Sequence, residues 1–299
     1  MARFTPFPEA DPLDDAAGTE RLRLADGVLL TAQHFQTEQL YHRARLARML
    51  AYTQGPGTVA GLDVTWQTSD DPAGTELKVT PGLAIDYRGR LLELRHDACL
   101  NITDWMSDLA DEGLGAALIT AGQRPAGDGL PLHILVDLFA DFRAFARRPE
   151  PAFATGNADQ IDGTEATLSD DAVYLHLVVR DAEDERAAQS MAARLFGAGT
   201  PTPEDLQRIK REDLWQNLAP RPDTLATAPG LADTEHDLGQ QDFGGVMLAR
   251  LALPLVEDDA GARFDTSFNM NATAVAPDFS GRLYSYSAAE LALLHGLRR

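Results

Sequence analysis

Hydrophobic and polar residues repeat with two different periods along the chain, and the first of these periods is helical. Between Thr31 and Gly55, apolar residues recur at the spacing of an α-helix. Thr31 is a suitable N-cap, and Gly55 can adopt the left-handed conformation that ends a helix. The large apolar residues on one face, at about 100° per residue, are Phe35, Leu46, Met49 and Leu50. The pattern predicts a helix of about six turns, and we expect these four residues to anchor it in the core of a sheet.

The predicted helix is apolar on a second side as well. That side carries smaller residues, namely Leu40, Ala44, Ala47 and Ala51. A helix on the surface of a single globular domain usually has one apolar stripe. We therefore expect this helix either to lie between two layers of one subunit or to contact another subunit.

After the predicted helix the hydrophobic period changes to two, which indicates strands. Short apolar segments begin near Thr58, and turn-forming sequences such as Pro81-Gly82 and Arg88-Gly89-Arg90 separate them. This close spacing is typical of an antiparallel meander. The segments expected to be strands are 58–64, 76–80, 83–86, 91–94, 132–139, 173–179 and 246–256, with a short helix at 103–111.

Together these elements predict a β-rich α+β fold, in which an antiparallel β-sandwich scaffold carries a long N-terminal helix and peripheral helices. We expect an irregular arm at residues 1–20, a helix and β-meander domain at 21–143, and a linker or excursion at 144–171. A second β-containing part follows at 172–299, with a helical insertion at 182–219.

A final helix is predicted at the C-terminal end. Ser287 and Glu290 have the spacing of a capping box, and Leu291, Leu294 and Leu297 share one face after it. A short apolar helix is not stable alone in water. We therefore expect this helix to dock on the rest of the chain.

The charge of the chain limits its partners. Its formal net charge is -20, and so acidic a surface repels a polyphosphate backbone. We expect no nucleic acid partner. The N-terminal residues lack the basic and apolar regions of a secretory signal, and the longest apolar run, at 130–140, is too short for a transmembrane helix. We therefore expect synthesis in the cytoplasm and no insertion into a membrane.

Compact catalytic motifs are absent from the sequence. It has no glycine-rich phosphate loop, no Rossmann fingerprint, no Gly-x-Ser-x-Gly elbow and no His-Glu-x-x-His. The single cysteine, Cys99, excludes an intrachain disulfide, and its apolar neighbours indicate a small buried residue. We predict no enzyme activity and no cofactor.

One row of residues on the predicted helix has the spacing of a metal site. His34, Glu38 and His42 are four residues apart, so they align along one face where they could chelate an ion. Pairing of Glu38 with a histidine or with Arg45, and packing of a neutral imidazole, explain the spacing better. We predict no metal site.

Two further histidines lie within predicted strands. His133 and His176 could share a sheet face with Asp137 and form an active-site pair. Polar residues of this kind more often line the half-solvated side of an antiparallel sheet.

The three tryptophans, Trp66, Trp105 and Trp215, are widely separated, so packing in the core is expected. A carbohydrate-binding platform would need them exposed on one surface.

One segment of the sequence resembles a known family. The stretch Leu24-Ala-Asp-Gly-Val-Leu-Leu-Thr-Ala-Gln-His-Phe-Gln36 resembles the opening of the TssK family, the baseplate adaptor of type VI secretion. Three further segments resemble proteins encoded with phage-like contractile injection systems, namely Tyr41-His-Arg-Ala-Arg-Leu46, Gly57-Thr-Val-Ala-Gly-Leu-Asp-Val64 and Val79-Thr-Pro-Gly-Leu-Ala-Ile-Asp-Tyr-Arg-Gly-Arg90. The resemblance implies a β-sandwich scaffold that oligomerises and attaches to a tail baseplate.

We therefore expect a structural component of a phage-tail-like contractile injection system, acting by protein–protein binding. Its expected partners are copies of itself and baseplate or tail proteins, and it would be assembled into a virion-like or injection particle. Gln33, His34 and Gln36 would set the turn that positions the first helix. The residues expected to carry the assembly role are Gln33, His34, Phe35, Gln36, Leu46, Met49 and Leu50.

Two alternatives stay open. The first is a ligand-binding β-sandwich that recognises glycan through exposed Trp or Tyr. The second is a metal-dependent enzyme that uses the histidines of the helix or of the strands.

Overall fold

The structure is a computed structural model that describes several separate ranges of the chain. The described residues are 8–9, 20–67, 75–111, 119–120, 122–127, 129–151, 164–180, 245–258, 261–265, 267–270, 275–279 and 282–294. Several predicted features therefore lie outside the described residues. They are most of the arm at 1–20, the helical insertion at 182–219 with Trp215, and Leu297.

Three helices and twelve strands form in the described ranges. The helices are α1 Ala32–Thr53, α2 Ile102–Asp111 and α3 Ala288–Leu294. The strands are β1 Pro8–Glu9, β2 Gly57–Gly61, β3 Val64–Gln67, β4 Glu76–Val79, β5 Gly82–Ile85, β6 Leu91–Leu94, β7 Ala98–Asn101, β8 Gln123–Arg124, β9 His133–Pro151, β10 Thr164–Val179, β11 Val246–Asp258 and β12 Gly261–Phe264. All the strand pairs are antiparallel. The prediction of a β-rich α+β fold with antiparallel sheets is confirmed, and the sandwich arrangement stays a prediction.

The first two sheets are one meander that bends in the middle. Strands β2, β5 and β6 form one sheet, and β3, β4 and β7 form the other. Gly61 pairs with Gly82 before the bend and Val64 pairs with Val79 after it, so the register is the same on both sides. At the bend Leu62 is fully buried with a φ of 57°, a left-handed conformation that is unusual for a residue with a side chain. The opposite strand supplies Gly82, where a Cβ would lie 2.4 Å from the backbone of β2.

A buried arginine from the C-terminal segment stabilises this bend. The Arg282 guanidinium donates hydrogen bonds to the Thr58 hydroxyl at 2.9 Å, the Leu62 carbonyl at 3.0 Å and the Gly61 carbonyl at 2.7 Å. Carbonyls that leave a strand ladder inside a protein need such donors. Burial lowers the pKa of Arg282. The segment that carries Arg282 also pairs with β2, since the Thr58 N–H donates to the Leu283 carbonyl at 2.8 Å.

The third sheet is built around the long strand β9. β10 pairs along β9 from Val136 to Pro151, while β11 pairs with its other edge from His133 to Ala140. β1 and β8 add short pairs, and β12 pairs with β11. This topology corrects the predicted linker at 144–171, because residues 144–151 belong to β9 and residues 164–171 belong to β10.

One hydrophobic core joins the meander to the third sheet. Alternate residues of β9 are fully buried, and β11 and the meander add further buried side chains to the same cluster. The central members are Leu77, Leu92, Ile134, Val136, Leu138, Leu248, Leu251 and Leu253. The two predicted parts at 21–143 and 172–299 therefore share a single core.

Candidate functional site

Helix α1 contacts the body of the protein through its small residues. Ala44 and Ala47 are the buried residues of the helix. The turn between β5 and β6 lies directly against it, because a Cβ added at Gly89 would be 1.8 Å from the Ala47 carbonyl oxygen. Gly89 has a φ of 82°, so glycine is required there for both its backbone conformation and its size.

The large apolar residues of α1 point away from the body. Phe35 is 56% exposed, Leu46 50% and Met49 60%, while Leu50 is half-buried. The expectation that these residues anchor α1 in the sheet core is therefore wrong. The physical reason is the close approach of the turn at Gly89, which small side chains allow and large ones would prevent.

The turn before α1 is closed by a histidine. The His34 Nδ1 accepts a hydrogen bond from the Thr31 N–H at 3.2 Å, which satisfies a backbone donor at the helix start. Thr37 donates its hydroxyl to the Gln33 carbonyl at 2.9 Å. The side chains of Gln33 and Gln36 are exposed. Of the three residues expected to set this turn, His34 is the one whose side chain bonds within it.

The chain that leads into α1 is apolar and exposed. Gly27 is left-handed at a φ of 83° in a turn, and the exposed apolar residues around it are Leu24, Val28, Leu29 and Leu30. Leu29 is 83% exposed. The segment is tied to α1 by a hydrogen bond from the Leu22 N–H to Glu38 Oε2 at 3.0 Å. We call residues 22–30 the leader segment.

Each of His34, Glu38 and His42, the row with the spacing of a metal site, is engaged in a contact within the protein. Glu38 Oε1 lies 3.0 Å from His42 Nε2, and its other oxygen accepts the bond from the leader segment. His34 is engaged in the helix cap. Within the described ranges, no group of three or more His, Cys, Asp or Glu could hold a metal ion.

The strand histidines share a sheet face but do not meet. His176 pairs directly with Phe139 across the ladder, and His133 lies six residues before Phe139 on β9. Six residues of strand span about 20 Å. His133 and His176 therefore cannot act as one active-site pair, and each has its own surroundings.

Asp137, between those two histidines, lies at a buried ionic centre. It is fully buried and accepts from Arg250 Nε at 2.7 Å, from Arg250 Nη2 at 3.1 Å and from Arg180 Nε at 2.6 Å. The three residues come from β9, from β11 and from the position after β10. Loss of one member of such a buried cluster leaves an uncompensated charge, so this cluster holds the three strands together.

His176 instead pairs with Asp141. Its Nδ1 lies 3.1 Å from Asp141 Oδ2, and both side chains are mostly buried. The imidazole stacks against the rings of Phe139 and Tyr174, with centroid distances of 5.7 Å and 5.9 Å. Gly245 leaves room for the carboxylate, because a Cβ there would be 2.1 Å from Asp141 Oδ1.

Burial shifts the pKa values of Asp141 and His176 in opposite directions. It raises the pKa of Asp141 to about 6, against the opposing effect of the Arg143 and Arg90 guanidinium groups. It lowers the pKa of His176 to about 4, with a further lowering from Arg143. Both ring nitrogens of His176 are buried, so the imidazole cannot reach a substrate in this conformation. The pair is a packed part of the sheet.

A second buried carboxylate shapes the turn under α1. Asp86 accepts from the Arg88 N–H at 2.9 Å, the Arg90 N–H at 2.7 Å and the Arg90 Nε at 2.6 Å. Burial raises the pKa of Asp86, and the Arg90 guanidinium opposes this rise. These bonds fix the conformation of the turn whose Gly89 contacts α1.

The exposure of Cys99 differs from what the sequence predicted. It is exposed in β7, so the expected small buried residue is wrong. Its neighbours Ala98 and Leu100 are half-buried, and adjacent residues of a strand point to opposite faces. Desolvation and the carboxylate of Glu76 raise the pKa of the thiol, which disfavours the reactive thiolate.

Trp66 and Trp105, the two tryptophans that the structure describes, pack inward, and two tyrosines form an exposed aromatic pair. Trp66 donates its Nε1–H to the Val275 carbonyl at 2.8 Å, and Trp105 packs against the core. Tyr284 and Tyr286 are exposed, with ring centroids 6.1 Å apart and planes 27° from parallel. Sequence reasoning missed this pair, although its i, i+2 spacing in an extended segment places both rings on one side.

The C-terminal helix begins as predicted but does not dock. The Ser287 N–H donates to Glu290 Oε2 at 2.7 Å, and the Glu290 N–H donates to the Ser287 hydroxyl at 3.3 Å. Leu291 and Leu294 are nevertheless exposed, so the expected docking on the rest of the chain is wrong for the residues that the structure describes. Among the described helices, none is long and apolar enough to cross a membrane.

Comparison with models of known protein families gives no match, and comparison with curated proteins gives none either.

Proposed function

We propose that this protein is an assembly component of a phage-tail-like contractile injection particle, attached to the baseplate by protein–protein binding. The observation that carries the proposal is the exposure of the leader segment. Leu24, Val28, Leu29 and Leu30 follow one another into α1 with their side chains in solvent. The same residues belong to the stretch that resembles the TssK family.

The energetics of this surface favour a bound partner. Removing a large aliphatic side chain from water contributes roughly 1.5 to 3 kcal/mol. Contiguous exposed apolar patches on monomers usually mark an interaction site. The leader segment and the outer side of α1 form such a surface, because the small residues of the helix already face the body.

The ionisable clusters also fit a structural role. Asp137 bonds to Arg180 and Arg250, while Asp86 bonds to Arg90 inside a turn. Each cluster joins strands or shapes a turn, and their carboxylates are fully buried. These groups stabilise a rigid scaffold, which is what an assembly component requires.

The proposal is tested in cells of the organism that encodes the chain. Particles are sedimented from lysates, identified by their sheath and tube proteins, and analysed for this protein by mass spectrometry. We expect the wild type in the particles and a strong reduction for the Leu29→Ser/Leu30→Ser variant. Leu293→Ser is the matched control, because Leu293 is 78% exposed but lies on α3.

Two results would contradict the proposal. The first is the absence of wild-type protein from particles that contain sheath and tube. The second is equal recovery of the Leu29→Ser/Leu30→Ser variant and the wild type. Circular dichroism of each purified variant shows whether a loss arises from misfolding.

The stacked pair Tyr284 and Tyr286 favours a second candidate, a glycan-binding function. Nearly parallel exposed rings offer an apolar platform with polar ends. On a glycan array this candidate predicts saturable binding that Tyr284→Ala abolishes. An array without any saturable signal would remove it.

A further inference from the structure

The outer side of α1 carries a row of residues with the spacing of a coiled-coil seam. The successive spacings are four, three, four, three and four, and the members are Phe35, Gln39, His42, Leu46, Met49 and Thr53. Every member is exposed. At about 100° per residue the row lies opposite Ala44 and Ala47, which face the body. We call these six residues the outer row.

We infer that the outer row binds the outer row of a second copy of this chain, with the two α1 helices parallel. The inference deepens the proposed function, because it names one partner of the assembly surface. Alternating three- and four-residue spacing is the pattern by which two helices pack side chains into each other. A helix whose body contact is on the opposite side can accept such a partner without moving.

The charges that flank the outer row favour a parallel pair. Glu38 and Arg45 lie along one flank of the row, and Arg43 lies along the other. In a parallel pair, a residue on the first flank meets the residue five positions later on the partner. Glu38 therefore meets Arg43 of the second copy, and the contact occurs twice by symmetry. An antiparallel pair would instead bring arginines of the two copies together.

Glu38 can accept this additional contact while keeping its present ones. Its two oxygens already bind the Leu22 N–H and His42 Nε2. An ionised carboxylate offers about four acceptor sites, and a guanidinium offers five donors. The cross-pair therefore adds to the existing bonds of the leader segment and does not replace them.

The polar members of the outer row set the register. Gln39 and His42 lie between Phe35 on one side and Leu46 and Met49 on the other. A polar residue in a coiled-coil seam specifies register and oligomer state at some loss of stability. Helix α1 is about 33 Å long at 1.5 Å per residue. The expected product is a two-fold dimer of modest affinity in the isolated protein.

Symmetric disulfide trapping tests the geometry directly. In a Cys99→Ser background of the full chain, Gln39→Cys and Thr53→Cys each place a thiol in the seam. In a parallel pair each thiol faces its own equivalent, so each variant alone forms a disulfide-linked dimer under mild oxidation. Gln33→Cys is the control, because Gln33 is exposed but lies outside the row.

The outcomes separate the possible arrangements. Cross-linking of both row variants, several-fold above Gln33→Cys, supports the inference. Cross-linking of a Gln39→Cys and Met49→Cys mixture, without either variant alone, overturns the parallel arrangement, because these two positions face each other in an antiparallel pair. Cross-linking no higher than that of Gln33→Cys overturns the inference entirely.

A second measurement uses the chain without cysteine variants. Sedimentation should show dimers of the 32.4 kDa chain, and Leu46→Glu/Met49→Glu should shift them to monomers. Leu293→Glu should leave the dimer unchanged. A wild type that stays monomeric at every concentration tested would contradict the inference. The proposed function is tested by the incorporation of the Leu29→Ser/Leu30→Ser variant into particles, whereas dimerisation is tested by sedimentation of the purified chain. Failure of dimerisation and failure of the proposed function are therefore separate results.

Discussion

The Asp141 and His176 pair makes opposite contributions to the pH dependence of folding stability. In the folded protein the pKa of Asp141 is about 6, against its ordinary value of 3.8. A raised carboxyl pKa means that the fold prefers the protonated form. Its contribution to stability is therefore fully present below about pH 4 and is lost as the pH rises through 6. At about 1.4 kcal/mol for each pH unit, the loss is about 3 kcal/mol.

The contribution of His176 has the opposite sign. Its pKa in the folded protein is about 4, against an ordinary value of 6.5. A lowered imidazole pKa means that the fold prefers the neutral form. This stability is present above about pH 6.5 and is lost as the pH falls through 4, again by about 3 kcal/mol. In the wild type, the changes in the free energy of unfolding with pH that come from Asp141 and His176 nearly cancel between pH 4 and 6.5.

Single substitutions should reveal the pH dependence of stability that each residue contributes. Asp141→Asn lacks the carboxyl contribution that the wild type gains as the pH falls, so its stability relative to wild type should fall by up to about 3 kcal/mol as the pH is lowered from about 7 to about 4. His176→Gln lacks the histidine contribution that the wild type loses as the pH falls, so its relative stability should rise by a similar amount over the same interval. The free energy of unfolding is measured with urea at each pH, and the wild-type value is subtracted.

Two outcomes would refute this reasoning. The first is that both variants show relative slopes of the same sign. The second is an NMR titration in which the His176 imidazole takes up its proton near or above its ordinary pKa of 6.5. That result would mean that His176 and Asp141 form an ion pair whose attraction outweighs the effect of burial.

Three further predictions test the packing of the bend and of α1. Arg282→Met removes three hydrogen bonds and leaves buried carbonyls without a charged donor, so urea unfolding should show a loss of about 3 kcal/mol or more. Gly89→Ala should destabilise more than Gly27→Ala, because both positions are left-handed but the first also overlaps the Ala47 carbonyl; equal losses would contradict the contact. Phe35→Ala should change the free energy of unfolding of the monomer, measured at a protein concentration too low for dimers, by less than about 1 kcal/mol, whereas a core phenylalanine would lose about 3 to 5 kcal/mol.

The elements of the fold were predictable where their signals are local. The bounds of α1, Ala32–Thr53, follow from the Thr31 cap and from Gly55, which is left-handed as expected. The Gly55 N–H donates to the Leu50 carbonyl at 3.1 Å and so satisfies a carbonyl at the helix end. The meander was predictable for the same reason, because its turns carry their own sequence signals.

The outer half of the β9 and β10 hairpin was not predictable from local pattern. Pro149 and Pro151 lie within it and indicate a loop, since proline cannot donate to a ladder. Beyond Phe145, however, β9 pairs only with β10 among the residues that the structure describes. A proline on the edge of a two-stranded ribbon loses no bond to a third strand, so the strand continues through both prolines.

Long-range contacts were beyond the reach of the sequence pattern. Arg282 is separated from Gly61 by 221 residues along the chain. Nothing in its neighbourhood distinguishes it from a solvated arginine until the bend places two carbonyls within its reach. The same is true of Asp141, whose pKa is raised by burial and whose neighbours His176 and Gly245 lie far away in sequence.

Helix α1 has two apolar sides, and the side with the smaller residues is the one that contacts the body. Both sides of the helix are apolar in the sequence. The larger side chains of Phe35, Leu46 and Met49 led us to predict that their side faces the core. The decision depends on the turn at Gly89, because its backbone approaches Ala47 too closely for any large residue. In proteins, most of the stability of a helix comes from the packing of its apolar face. The large residues that the turn excludes from the body therefore remain available to a partner, and their coiled-coil spacing fits a second copy of the same helix.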